Sequence, residues 1–243
     1  MVVGRMALLP AVALLLYRIL VTYAMAVGWL RNTYRDGVIP SQKKFSAQFP
    51  DASGQFGADP ASSDVVVLLI GARYNHPLGL LAPGARELGE FFGSMVKDLD
   101  AHSEEFGFLG MTSWISHSGR ETKNELLDVG YFRTVEGLHR FAHSEYHRKA
   151  WDWWNKTVKE HSHLSIYHEV YHAPKGHWES IYVNSHESGF ASTTHRYVDK
   201  KTGKEMWASP VVDASRGLLA TSAGRMGRSK ADEHDGYGDS PYQ

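Results

Sequence analysis

Residues 65–182 predict an α+β fold of the ferredoxin-like kind, on three observations. Four short runs carry strand patterning, two longer stretches carry helical spacing, and they alternate as β-α-β-β-α-β, the split βαβ order. Such a sheet covers one face with its two helices and leaves the other open. A second copy of the chain is the simplest way to bury that face, so a homodimer is expected.

The first strand is VVVLLIGARY, residues 65–74, a continuous β-branched run of the buried type, closed by Pro77 and Pro83. Residues 85–104 place Leu88, Phe91, Phe92, Met95 and Leu99 on one helical stripe, with Arg86, Glu87, Lys97 and Asp98 elsewhere. FLGMTSWISH (108–117) and ELLDVGYF (125–132) read as strands joined by a hairpin loop at 118–122. Thr134 caps a second helix that runs to about Lys159, with Val135, Leu138, Ala142, Tyr146, Ala150 and Trp153 within one face. LSIYHEVYH (164–172) alternates as the last strand and stops at Pro174, and residues 179–183 are a further short strand candidate.

Around this domain (65–190) the chain changes character. Residues 31–64 are polar and rich in Gly, Pro and Ser, as in a linker or an arm draped over the domain. Residues 191–243 read as a mostly disordered tail, with Gly, Ser, Lys and Asp dominant from Lys200 onward. Residues 6–30 carry the single charge Arg18 in an otherwise apolar run, within a segment (1–30) read as a membrane-anchor helix. A cleaved leader, with Ala24-Met25-Ala26 as a small-x-small site, and an interfacial helix are the alternatives. Arg31, Arg35, Lys43 and Lys44 after the run, against Arg5 before it, orient a single-pass protein with its body in the cytosol.

Composition removes several classes. The 243 residues carry a net charge of −1, so no global field draws the chain to nucleic acid. With no cysteine there is no disulfide framework, thiolate nucleophile, Cys-ligated zinc or iron–sulfur cluster. No dinucleotide fingerprint, phosphate-binding Gly loop, Gly-x-Ser-x-Gly elbow or kinase motif occurs.

Histidine is the unusual component, at 14 copies. On one continuous helix His139, His143 and His147 stack a turn apart, His139 inside the apolar face, His143 at its edge and His147 nearer solvent. They are either a solvated helix side or hold one catalytic or iron-binding ligand. His168 shares a strand face with Ile166, Val170 and His172, opposite Tyr167, Glu169 and Tyr171, as a general base or a structural histidine. Trp114, Tyr131 and the second helix's tryptophans either fill a core or line a pocket for a flat apolar substrate. Arg133 either holds a carboxylate or oxyanion, or pairs with Glu136.

LLIGARYN (68–75), GFLG (107–110), GYFRTVEGLHRFAHSEYHRKAW (130–151) and IYHEVYHAPKGHWESIYVN (166–184) together resemble a family. It is the monooxygenase-like family of the dimeric α+β-barrel, antibiotic-biosynthesis-type superfamily. Its members occur in bacteria and in fungal secondary-metabolite clusters, the fumagillin pathway among them. The resemblance implies a monooxygenase oxidising an apolar, polyketide- or terpenoid-like metabolite. Some members of that superfamily work without a cofactor, so either none or haem is expected here. Haem-dependent relatives place an iron-ligating histidine on a helix facing the sheet, a location that His143 or His147 matches in a general way. The resulting expectation is a membrane-anchored oxidoreductase in which His143, His168, Trp114 and Tyr131 shape the pocket between sheet and helices and move protons, and Arg133 orients an acidic oxygen. A haem-dependent dehydratase or oxygenase of the same fold and a non-catalytic dimeric binding protein are the alternatives.

Overall fold

The computed structural model describes residues 2–39, 44–50, 53–117 and 125–229, so the hairpin loop expected at 118–122 and residues 230–243 lie outside the described residues. The chain divides into two compact units, Met1–Ile39 and Pro40–Gln243.

In the first unit, none of residues 8–26 of helix α1 (Val2–Ala26) is buried, and Arg18 is the one charge among them. At 1.5 Å per residue the 19-residue stretch Leu8–Ala26 is about 28 Å long, close to the hydrocarbon thickness of a bilayer. This helix is long and apolar enough to cross a membrane. Beyond it, Asn32 caps a 3-10 turn (Thr33–Arg35) by accepting from the Tyr34 amide, and Arg31 pairs with Asp36 at 2.6 Å.

The second unit holds a four-stranded antiparallel sheet in the order β3 (Phe108–Ile115), β4 (Leu126–Phe132), β2 (Val65–Tyr74), β5 (Leu164–Ala173). Its helices are α2 (Ala85–Ala101), the single turn α3 (Ser103–Phe106), α4 (Val135–His143) and α5 (Glu145–Thr157). The expected βαββαβ order is therefore present. Period-two geometry sends Val66, Leu68, Ile70, Ala72 and Tyr74 of β2 to one face. There Val66 and Leu68 meet Leu99, Phe106, Phe108, Phe132, Leu138 and Phe141 in the main core, and Tyr74 meets Ala82, Ala85 and Leu164 in a smaller one. Gly137 lets α4 approach α3, since a Cβ there would lie 2.2 Å from the Phe106 carbonyl oxygen.

The helical stretch after Thr134 differs from expectation: it is two helices, broken at Ser144. That residue takes an extended ψ of 164° while its hydroxyl donates to the Phe141 carbonyl at 2.6 Å, closing α4 before α5 begins. Thr134 caps α4 as expected, accepting from the Gly137 amide at 3.0 Å. Phe108 pairs with Phe132 and Gly110 with Tyr131, so β3 carries a bulge at Leu109–Gly110 that Gly110, at φ 143°, accommodates.

The reading of a mostly disordered tail is corrected over residues 191–229. Strands β7 (His195–Val198) and β8 (Glu205–Ala208) form a hairpin. Strand β9 (Val211–Asp213) pairs with β1 (Lys44–Ala47) of the arm, which also pairs with β6 (Tyr182–Val183). Polar composition concealed the hairpin, whose pairing is local, and β9 draws its partner β1 from far back in the sequence, which no local pattern shows. A second aromatic core results, with Phe49, Trp178 and Phe190 ring to ring, and Phe190 covers Tyr131 on the sheet face turned away from the helices.

Candidate active site

Between the helix-side face of the sheet and helices α2 and α5 lies a cavity of about 130 Å³. Strand parity supplies its floor: Ile70, Ala72, Tyr74, Leu126, Asp128 and Ile166. The apolar stripe of α2 (Leu88, Phe91, Phe92, Met95) forms one wall, and His147, Trp151, Trp153 and Trp154 of α5 form the other. Trp151 and Ile166, 51% and 37% exposed, stand where it meets solvent.

Among the described residues Asp128 is the one carboxylate lining this apolar space. It is buried, directly across from Ser113 in the β3–β4 register, and accepts a short hydrogen bond from the Ser113 hydroxyl. Burial pushes its pKa up and the Ser113 bond partly opposes that shift, so the carboxyl holds a proton more readily than a solvated aspartate. Facing it from α5, His147 is half-buried between Phe141, ring to edge, and Trp151, stacked at 6.4 Å. Burial lowers its pKa; a hydrogen bond to the Ala142 backbone opposes the shift, and His168 and His143 add to it by like-charge repulsion. Its imidazole is thus disposed to stay neutral.

The expected site residues divide between several places. His147 lines the cavity. His168 stands on the helix-side face opposite Ile70, exposed on the edge strand and close enough to His147 to affect its titration. His143 faces solvent, its Nδ1 2.8 Å from the His139 carbonyl. The break at Ser144 resets the helical phase and reverses the expected order: His139 and His143 point outward and His147 inward.

Trp114 and Tyr131 are on the other face of the sheet and do not line this cavity. Trp114 is 52% exposed. Tyr131 packs against Phe190 with the rings tilted 41° to each other, and its pKa is pushed up to about 12, by burial first and then by Tyr182. Arg133 lines a separate groove with Asp64, Thr134, Glu136 and His172. Asp128 was not anticipated from the sequence, although its signal is there: a lone carboxylate at the inward parity of LLDVGYF.

Among the described residues no group of three or more His, Asp or Glu side chains could hold a metal ion. The residues present do not fit haem in this geometry. Of the two imidazoles considered as iron ligands, His143 faces solvent, and His147 opens onto 130 Å³, below the roughly 300 Å³ at which ordinary ligand pockets begin.

A family model described as monooxygenase af470-like matches residues 65–190. Over 224 residues the chain is 33% identical to monooxygenase af470 of Aspergillus fumigatus, covering 92% of this chain and 80% of that protein. Among solved structures, aldoxime dehydratase OxdRE in complex with butyraldoxime is similar at 17% identity and a TM-score of 0.40, over 65% of this chain but only 43% of the dehydratase. SnoaB, a cofactor-independent oxygenase from Streptomyces nogalater, is similar at 12% identity and a TM-score of 0.30, over 44% of this chain and 90% of SnoaB.

Proposed function

The chain belongs to the monooxygenase af470-like family, and from that premise we propose that it is a monooxygenase of a small apolar metabolite bound between the sheet and helices α2 and α5. One observation carries this reading: Asp128, a buried carboxylate with a raised pKa, faces a cavity otherwise lined by apolar and aromatic side chains. A carboxylate in such surroundings is unfavourable for stability, and perturbed groups of this kind cluster at functional sites. A cavity of about 150 Å³ with apolar walls holds one benzene ring, so the closed space suits a single ring or chain end. A larger polyketide- or terpenoid-like skeleton would extend past Trp151 and Ile166.

In this reading Asp128 takes a proton from an acidic C–H or enolic O–H of the substrate, and the electron-rich anion left behind is what dioxygen oxidises. For an activated methylene the change CH2 + O2 → C=O + H2O balances, one oxygen atom entering the product and the other leaving as water. Neutral His147 hydrogen-bonds the substrate oxygen, and His168 relays protons between His147 and solvent. His143, Trp114, Tyr131 and Arg133 stand outside this set. Of the sheet face turned away from the helices, the part that Phe190 leaves uncovered, with Trp114, Tyr167 and Tyr171 exposed, is the surface a second copy would cover in a homodimer. Helix α1 is the single-pass anchor, with the second unit on the cytosolic side.

Deleting the gene and profiling metabolites under isotopically labelled dioxygen tests the proposal. Deletion should accumulate a less oxidised metabolite, and the wild-type gene should restore a product carrying one labelled atom. Asp128→Asn should be folded yet fail to restore it. Full restoration by Asp128→Asn removes Asp128 from the mechanism, label derived from water refutes an oxygenase, and an unchanged profile on deletion favours a binding protein.

A further inference from the structure

At one end of the four-stranded sheet, the loop that leaves β2 presents apolar side chains outward. Between Tyr74 and Ala85 the sequence NHPLGLLAPG has no Asp, Glu, Lys or Arg, and Pro77 and Pro83 stiffen it on either side of a 3-10 turn (Gly79–Leu81). Its leucines project instead of packing: Leu78 is 59% exposed, Leu80 43% and Leu81 83%. The antiparallel register brings other ends to the same place, since Tyr74 pairs with Leu164, Ala72 with Leu126, and Leu126 with Ile115. Ile115, more than half exposed, therefore shares this end with the loop. The cavity lies under it too, its floor including Ala72, Tyr74, Leu126 and Ile166.

Exposed apolar side chains gathered in one place mark contact with something apolar. What covers them is suggested by the same chain. Helix α1 is long and apolar enough to cross a bilayer, and the segment between Ala26 and Lys44 extends to about 60 Å at most, so an anchored α1 keeps a membrane within reach of the second unit. An uncharged, proline-bounded turn that presents leucines is suited to the boundary between headgroups and acyl chains, where apolar side chains enter roughly 5–10 Å.

We infer that residues 77–83 insert into the surface of a lipid bilayer and seat the cavity end of the sheet on it. The inference rests on the anchoring proposed for α1, and it deepens the proposed function: an apolar substrate dissolved in the membrane has the shortest path to the cavity from that end.

The absence of cysteine makes the test direct, because a single introduced cysteine is the only site of labelling. The full chain is reconstituted in phosphatidylcholine–phosphatidylserine vesicles with an environment-sensitive fluorophore on Leu81→Cys, Leu14→Cys or Lys175→Cys. Nitroxide-bearing lipid is the quencher. Leu81 is so exposed that its replacement leaves the core intact, and Lys175 follows β5 at the opposite end of the sheet, roughly 30 Å away at 3.3 Å per residue.

The Leu81 label should shift to the blue and be quenched by nitroxide lipid, and the Lys175 label should do neither. Quenching at Leu14 with none at Leu81 overturns the inference and leaves the anchor standing. Quenching at Leu81 with none at Leu14 upholds loop insertion and removes the anchor. A Leu81 label that shifts to the blue but resists lipid quenching is covered by protein, a second copy included, and overturns the inference. No quenching at either position overturns both.

Discussion

His195 should make the second unit sensitive to acid, by an amount the structure fixes. Its side chain is 2% exposed at the start of β7, edge-on to Phe49 at 4.7 Å, and among the described residues neither ring nitrogen has a hydrogen-bond partner. Burial, and then the charge of Arg133, lower its pKa to about 3. In the unfolded chain the same imidazole titrates near 6.5. Above about pH 6.5 both states are neutral and the residue contributes no pH dependence. As pH falls below 6.5 the unfolded state takes up the proton and the folded state does not, so stability is lost until the folded pKa is reached. At about pH 5 this linkage amounts to about 2 kcal/mol, against less than about 0.1 at pH 7.5. Replacing His195 by Leu removes the titration and keeps an apolar side chain against Phe49. Urea unfolding of wild type and His195→Leu at about pH 7.5 and 5 gives two stability differences, and every other group cancels between them. The difference should move by about 2 kcal/mol in favour of the variant at the lower pH. A difference that stays constant across that range would refute the argument, because it would mean that the folded protein protonates His195 as readily as the unfolded chain does.

Asp128→Asn should lose turnover, and its effect on stability should run the opposite way. The folded pKa is raised, so the ionised carboxylate disfavours folding above the unfolded pKa; the variant should match or exceed wild type in urea at neutral pH and lose that advantage on acidification. Phe132→Ala, at a side chain 0% exposed in the main core, should cost about 3–5 kcal/mol in the same assay. Gly137→Ala gains about 1 kcal/mol of helix propensity but drives a methyl to 2.2 Å from the Phe106 carbonyl oxygen, for a net loss of about 2 kcal/mol. Thr134→Ala, which removes the cap of α4, should cost about 1 kcal/mol, and Thr134→Ser should recover most of it.

How much of this was legible in the sequence depends on where regular periodicity holds. In β5 it holds for ten residues, and the division of His168 and His172 from Tyr167, Glu169 and Tyr171 is the one the register displays. In β3 it fails at a single place. Trp114 has the parity of Phe108, which is in the core, yet the bulge at Leu109–Gly110 inserts one residue and turns Trp114 to the opposite face. In the helical stretch the break at Ser144 does the same to the histidines, exchanging His143 for His147 at the cavity wall. Both errors are phase errors, produced by one residue each, and neither residue is a strong breaker: a Gly in a strand and a Ser in a helix are common enough in regular elements. Asp128 is the converse case. Its phase was readable, since Leu126, Asp128, Gly130 and Phe132 share a parity with no irregularity between them, but what its inward parity meant was not. A carboxylate facing a core is a defect unless a cavity lies in front of it. That cavity belongs to α2 and α5 packed over β2 and β4, a relation between segments that no local pattern encodes. The residues most open to misreading from sequence are therefore those at the site, because a site requires local regularity to give way to tertiary geometry.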